Sequence, residues 1–203
     1  MNTINYKYIS DAIEHYKLLG YNYIEVPWYV TKDVMDITKP SYVPEDNEYY
    51  IPKNNKYLVA SAEQSFIYLI FKGIILPGYY VGVTPCYRFE KISDTNRKVF
   101  MKVELIYISY DMNENLQVNL DRIKSDSANF FETVLKDEIE LVEVPQENSI
   151  INHDINYKGH ELGSYGIRKY KNLFQWVYGT GCAEPRLSIV QKLEQENKNH
   201  KYL

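Results

Sequence analysis

The sequence predicts an α+β domain, an antiparallel β-sheet with helices packed on one side and a ligand on the other. Two patterns carry that expectation. Residues 81–106 alternate polar and apolar on both sides of a polar loop, as a hairpin does. Segments before and after it repeat apolar residues at helical spacing. With 203 residues and 45% hydrophobic content, the chain forms one domain, residues 1–203, with enough apolar material for a large core.

In chain order, Ile9, Ala12, Ile13, Tyr16 and Leu19 mark an amphipathic helix that Gly20 stops. Residues 23–30 read as a strand. Pro27 within it cannot donate to a ladder and so marks an edge, a bulge or an interface. Residues 36–53, with Pro40, Pro44 and Pro52, read as a loop. Residues 62–72 read as a buried helix, and Glu63 in its first turn suits the helix dipole. Further helices are expected over residues 120–136 and after Pro185. Further strands are expected at 139–144 and 173–178. Residues 154–166 read as polar turns, and Gly179, Thr180 and Gly181 as a turn into the closing helix.

In the hairpin, Arg88 and Glu90 share one strand face, and Phe100, Lys102 and Glu104 share a face of the second strand. Paired, they put an arginine, an aromatic ring and carboxylates on a single surface. Tyr87, Phe89, Met101, Val103 and Leu105 fall on the opposite face and read as core. An arginine fork and an aromatic plate suit the phosphate and base of a nucleotide. The alternative is a surface ion pair between Arg88 and Glu90 on an ordinary sheet.

The formal net charge of −4 argues against a general nucleic-acid-binding surface. The 21 tyrosines read as a compositional bias rather than a binding signal. Cys86 and Cys182 lie far apart, without metal-site spacing, as free thiols of a reducing compartment. No signal peptide opens the chain and no apolar run spans a bilayer, so a cytoplasmic location without membrane contact is expected. The basic run Arg168, Lys169 and Lys171 reads either as a solvated turn or as a phosphate contact.

Four blocks, in order, resemble the catalytic core of class II aminoacyl-tRNA synthetases, most of all the seryl type. Residues 23–30, containing IEVP, resemble motif 1. Residues 58–63, LVASAE, resemble the seryl Thr-Ala-Glu loop, with Ser61 in place of threonine. TPCYRFE at 84–90 followed by FMKVEL at 100–105 resembles motif 2. GTGCAEPR at 179–186 resembles motif 3, with Pro185 where glycine is usual. The ELGS of Glu161 to Ser164 is similar to the family's metal-binding Glu-x-x-Ser.

The resemblance implies ATP-dependent activation of an amino acid as its adenylate, with Mg²⁺, followed by transfer to tRNA, a carrier protein or a small molecule. It implies that Arg88 holds the α-phosphate and Arg186 the γ-phosphate, and that Phe100 stacks on adenine while Glu90 accepts from its amino group. Glu63 and Glu104 would surround the amino acid, and Glu161 and Ser164 would hold the metal. Cys182 could join a catalytic zinc, as in some seryl-like relatives. The family's use of motif 1 implies a homodimer. No tRNA-binding arm or anticodon-binding domain is recognisable, so weak tRNA charging is expected. The rival expectation is a synthetase paralogue without catalysis that binds or regulates.

Overall fold

The computed structural model describes residues 3–41, 43–44, 48–89, 91–93, 95–145 and 149–200, the last four without their side chains. Numbered along the chain, its elements are α1 Tyr6–Leu18, β1 Asn22–Tyr23, β2 Tyr29–Val30, α2 Lys32–Thr38, β3 Tyr50–Ile51, β4 Lys56–Leu58, α3 Ala62–Phe71, β5 Gly78–Tyr87 and β6 Val99–Ser109. They continue with α4 Gln117–Leu135, β7 Glu140–Glu143, β8 Ile151–Tyr157, β9 His160–Tyr170, β10 Phe174–Glu184 and α5 Arg186–His200.

Seven strands form one sheet in the order β1-β5-β6-β10-β9-β8-β7. Only the β1–β5 pair among them is parallel. A small antiparallel sheet, β2-β4-β3, stands beside it. The predicted hairpin forms as β5–β6, with Gly82 opposite Glu104, Thr84 opposite Lys102 and Cys86 opposite Phe100.

Helices cover both faces of the large sheet, not one. Odd-numbered residues of β6, Val103 and Leu105, join Ile9 and Tyr16 of α1, Ile123 and Phe131 of α4 and Val190 of α5 in one core. Even-numbered Ile106 and Ile108 join Phe66 and Ile70 of α3, Val34 of α2 and Trp176 of β10 in a second. The surface that carries Phe100, Lys102 and Glu104 is therefore roofed at one end by α3 and open at the other. Ser61 caps α3 by accepting from the Glu63 amide, and the Gln64 side chain accepts from Ala60 N at 2.8 Å.

Several expectations are corrected. Residues 23–30 are not one strand: Pro27 separates β1 from β2, which belong to different sheets. Residues 36–53 are not all loop, since they include the end of α2, β3 and a 3₁₀ turn at Pro52–Asn54. Residues 154–166 are strand: β8 and β9 pair Asp154 with Ser164 and turn at Lys158 and Gly159. Gly179, Thr180 and Gly181 do not turn the chain. They lie within β10, with an irregularity in register between Thr180 and Cys182. Phe89 is 44% exposed and stacks on Tyr49, and Tyr87 is only half-buried, so neither belongs to the core. No helix among the described residues is long and apolar enough to cross a membrane.

Candidate functional site

The open end of the α3-covered face begins at Arg88. Its Nε donates to the Ala60 carbonyl at 2.9 Å, tying the end of β5 to the loop before α3. Its guanidinium lies 5.1 Å from the centroid of the Phe100 ring. Further in, Glu104 is completely buried. It accepts from Lys102 Nζ at 3.0 Å and from the Ser61 hydroxyl. Burial pushes the Glu104 carboxyl above its usual range, and the Lys102 charge opposes that shift. Ser61 thus caps α3 and fixes the carboxylate at once.

Glu63 sits deeper. Arg168 grips it with Nη1 at 3.0 and 2.8 Å from its two oxygens, and Trp176 Nε1 donates at 2.7 Å. The Arg168 guanidinium lies 4.4 Å from the Tyr178 ring centroid, and its Nε donates to Ser149 at 3.1 Å. Arg168 is buried, whereas Lys169 and Lys171 are exposed, so the basic run is neither one solvated turn nor one phosphate patch. Both oxygens of Glu63 are engaged in this floor.

A second group lies at the ends of β8, β9 and β10. Arg186 Nη1 donates to Glu161 at 2.8 Å, and its Nη2 donates to Asn96 at 3.0 Å. Asn156 faces Glu161 across the β8–β9 ladder, as Asp154 faces Ser164. Asp154 Oδ1 and Asn156 Oδ1 are buried without hydrogen-bond partners among the described residues. Burial raises the Asp154 carboxyl; a hydrogen bond from Ser164 lowers it and the Glu161 charge raises it. Among the described residues no three acidic, histidine or cysteine side chains gather as a metal cage. Cys182 is buried in the α1–α4 core, where burial raises its thiol. β10 joins the two groups: Thr180 lies opposite Glu104 and accepts from the Ser164 amide at 3.3 Å.

The structure thus brings Arg88 to Phe100, Glu104 to Ser61, and Arg186 to Glu161. Glu90 lies outside the described residues. The sequence reading missed Asp154 and Asn156, because they fall in a segment read as turns. Their alternation with Ile155 and Tyr157 was the available signal.

Solved structures share this architecture. The cytoplasmic serine–tRNA ligase of Naegleria fowleri, in complex with AMP, superposes with a TM-score of 0.71 at 19% identity, over 89% of this chain and 51% of that one. The seryl-tRNA synthetase of Pyrococcus horikoshii, complexed with ATP, gives 0.71 at 18% identity, over 89% of this chain and 48% of that one. PylSc of Desulfitobacterium hafniense, a pyrrolysyl tRNA synthetase, gives 0.72 at 16% identity, over 92% and 68%. The chain spans about half the length of the seryl structures. No protein-family model matches it, and no curated protein matches it in sequence. Its fold is that of the class II aminoacyl-tRNA synthetase catalytic core.

Proposed function

We propose that the chain activates an amino acid as its adenylate at the expense of ATP. The observation that carries this is the placement of Arg88 over Phe100 beside buried Glu104, with Arg186 at the far side of the same sheet face. One arginine meets the α-phosphate and the other the γ-phosphate. The acid's ionised carboxylate attacks the α-phosphorus, an oxygen–phosphorus bond forms, and pyrophosphate leaves with the bridging oxygen's electron pair. No general base is needed, because the nucleophile is already deprotonated. Arg88 stabilises the charge that builds on the α-phosphate. Phe100 offers its ring to adenine, and Glu90 its carboxylate to the adenine amino group. Glu104 receives the substrate's ammonium, with Glu63 beneath as the floor.

The donor set fits Mg²⁺. Glu161 and Asp154 would supply hard carboxylate oxygens, Ser164 and Asn156 neutral ones, and two of these oxygens lack partners among the described residues. Magnesium is commonly held by one or two carboxylates together with substrate phosphates. When bound there it neutralises phosphate charge. Arg186, now paired with Glu161, turns to the leaving pyrophosphate.

The rival reading, a chain that binds without catalysing, draws on Glu63, whose carboxylate is already engaged by Arg168 and Trp176. ATP–pyrophosphate exchange with each amino acid in turn separates the two. Exchange is expected with at least one, and Arg88→Ala is expected to cut it by roughly 10²–10³-fold, the usual loss for a donor to developing charge. Arg97→Ala should do far less, because Arg97 bonds only the carbonyls of its own loop, Ser93 and Asn96, in the described contacts. ATP binding with no exchange for any acid would favour the rival. Equal exchange in wild type and Arg88→Ala would remove Arg88 from the reaction.

A further inference from the structure

A cavity of about 490 Å³ opens beside Arg88, between α2, the chain after it, β4 and the end of β5. It borders the proposed reaction centre through Ala60, Ser61, Arg88 and Arg168. One side is aromatic. Tyr49 and Phe89 stack at 4.3 Å with 23° between ring planes, and Tyr87 leans on Tyr49 at 5.8 Å. Met35, Val43 and Leu58 add aliphatic surface. This size and composition match sites for whole organic molecules, and exceed what a hydroxymethyl side chain could fill.

The cavity also contains an unanswered polar atom. Glu48 lines it, and its side chain is only 5% exposed. Oε1 accepts from Lys39 at 2.8 Å and from Lys32 at 3.2 Å. Oε2 is buried and has no partner among the described residues. Buried carboxylate oxygens without donors are rare because the lost hydration is not replaced. Glu48 lines the cavity, and a turn of its carboxylate toward a molecule seated there would give Oε2 a donor.

The direction of growth from the reaction centre is constrained. Along the sheet, α3 packs on Ile106 and Ile108. Beneath, the Glu63–Arg168–Trp176 floor is closed. A substrate with its carboxylate near Arg88 has this cavity to extend into. Charge narrows the choice. Glu48 already meets two ammonium groups, Lys32 and Lys39, through Oε1, which disfavours a third cation at its carboxylate. A neutral donor at the end of an apolar body satisfies Oε2 without adding charge, and a ring suits the aromatic side.

We infer that the acid activated here carries a hydroxylated aromatic side chain, seated in this cavity with its hydroxyl donating to Glu48. This rests on the adenylation reading above for the placement of the carboxylate.

Calorimetric titration of the full chain, without nucleotide, with tyrosine, phenylalanine, lysine and serine tests it. Tyrosine is expected to bind at least tenfold more tightly than phenylalanine, which leaves Glu48 unanswered, and more tightly than lysine or serine. Val43→Trp fills the cavity from its half-buried rim and should weaken tyrosine at least tenfold, with a cooperative melt as evidence of folding. Glu48→Gln changes almost no volume and should narrow the gap between tyrosine and phenylalanine. Absence of tyrosine binding, serine binding as tightly as tyrosine, or a tyrosine affinity untouched by both variants would overturn the inference. Because no ATP is present, these outcomes are independent of pyrophosphate exchange, on which the adenylation reading stands or falls.

Discussion

Glu63 is gripped by Arg168 and Trp176, and both charged residues are buried, each about 5% exposed. Removing one member of such a pair strands the other charge, whereas replacing both by apolar groups of similar size removes the problem altogether. Arg168→Ala should therefore cost about 3–5 kcal/mol in urea unfolding. The double variant Glu63→Leu with Arg168→Met should recover most of that loss; a double variant as unstable as the single one would mean that the pair does more than neutralise itself. In the sequence Arg168 was hidden by its neighbours, since Lys169 and Lys171 made a charged run of it. Strand alternation separates Arg168 from Lys169 and sends them to opposite faces.

Glu104 leads to a pH dependence. Burial raises its folded carboxyl above the 4.5 of an unperturbed glutamate. Between the unfolded and folded values the native state holds the extra proton, so this group's contribution is full below about pH 4.5 and is lost as pH rises through the folded value. The stability of wild type relative to Glu104→Gln should fall across that window, measured as urea midpoints at a series of pH values. A constant difference would show that Lys102 and Ser61 fully compensate for burial. That this residue shares a face with Phe100 was legible from spacing alone; that Ser61 and Lys102 close around it required α3 to be in place.

At the scale of elements, apolar periodicity was informative where one side of a strand is wet or polar by simple alternation. β5 and β6 were readable for that reason. β8 and β9 were not, because Asn152, Asp154, Asn156, Ser164 and Arg168 are polar at a site rather than at the solvent, and a register shift next to Asn156 breaks the alternation so that Leu162 joins the core. The odd-numbered Ile155, Tyr157, Tyr165 and Ile167, all core residues, carried the strand signal. The glycines of β10 misled in a different way. A Cβ on Gly179 would lie 2.6 Å from Ile123 and 2.7 Å from Tyr165, and one on Gly181 would lie 2.7 Å from Tyr16. They are there for close packing of α1 and α4 on the strand, not for a turn. Gly179→Ala should destabilise by about 1–3 kcal/mol through overpacking, read from chemical denaturation; an unchanged midpoint would mean that α4 can slide. The segment that resembles motif 1 carries its own prediction. Pro27 parts β1 from β2 and leaves Tyr23, Trp28 and Tyr29 at 43%, 54% and 41% exposed. A second copy of the chain covering these rings would give a homodimer in light scattering, whereas a monomer at high micromolar concentration would exclude that arrangement.

For the whole molecule, the hairpin foretold the sheet but not its two-sided cover. A buried helix at residues 62–72 could be read from its apolar content, yet nothing local says which face of a sheet it covers. That choice depends on Ile106 and Ile108 lying on the same face as Glu104, a relation between distant segments. The result places β10, buried at every one of its residues, between β6 and β9. Such a strand has no edge to fray. Its amides should take up deuterium last of all, at rates set by complete unfolding, while Arg88, whose amide bonds Lys98 just beyond the end of β5, exchanges through local opening. Added nucleotide should then slow exchange around Arg88 and Lys98 and leave the β10 plateau set by global stability. Under the proposed function the two arginines differ in kind: Arg186 opens α5 directly after the central strand β10, whereas Arg88 follows the end of β5, so one would anchor a ligand while the other would be ordered by it.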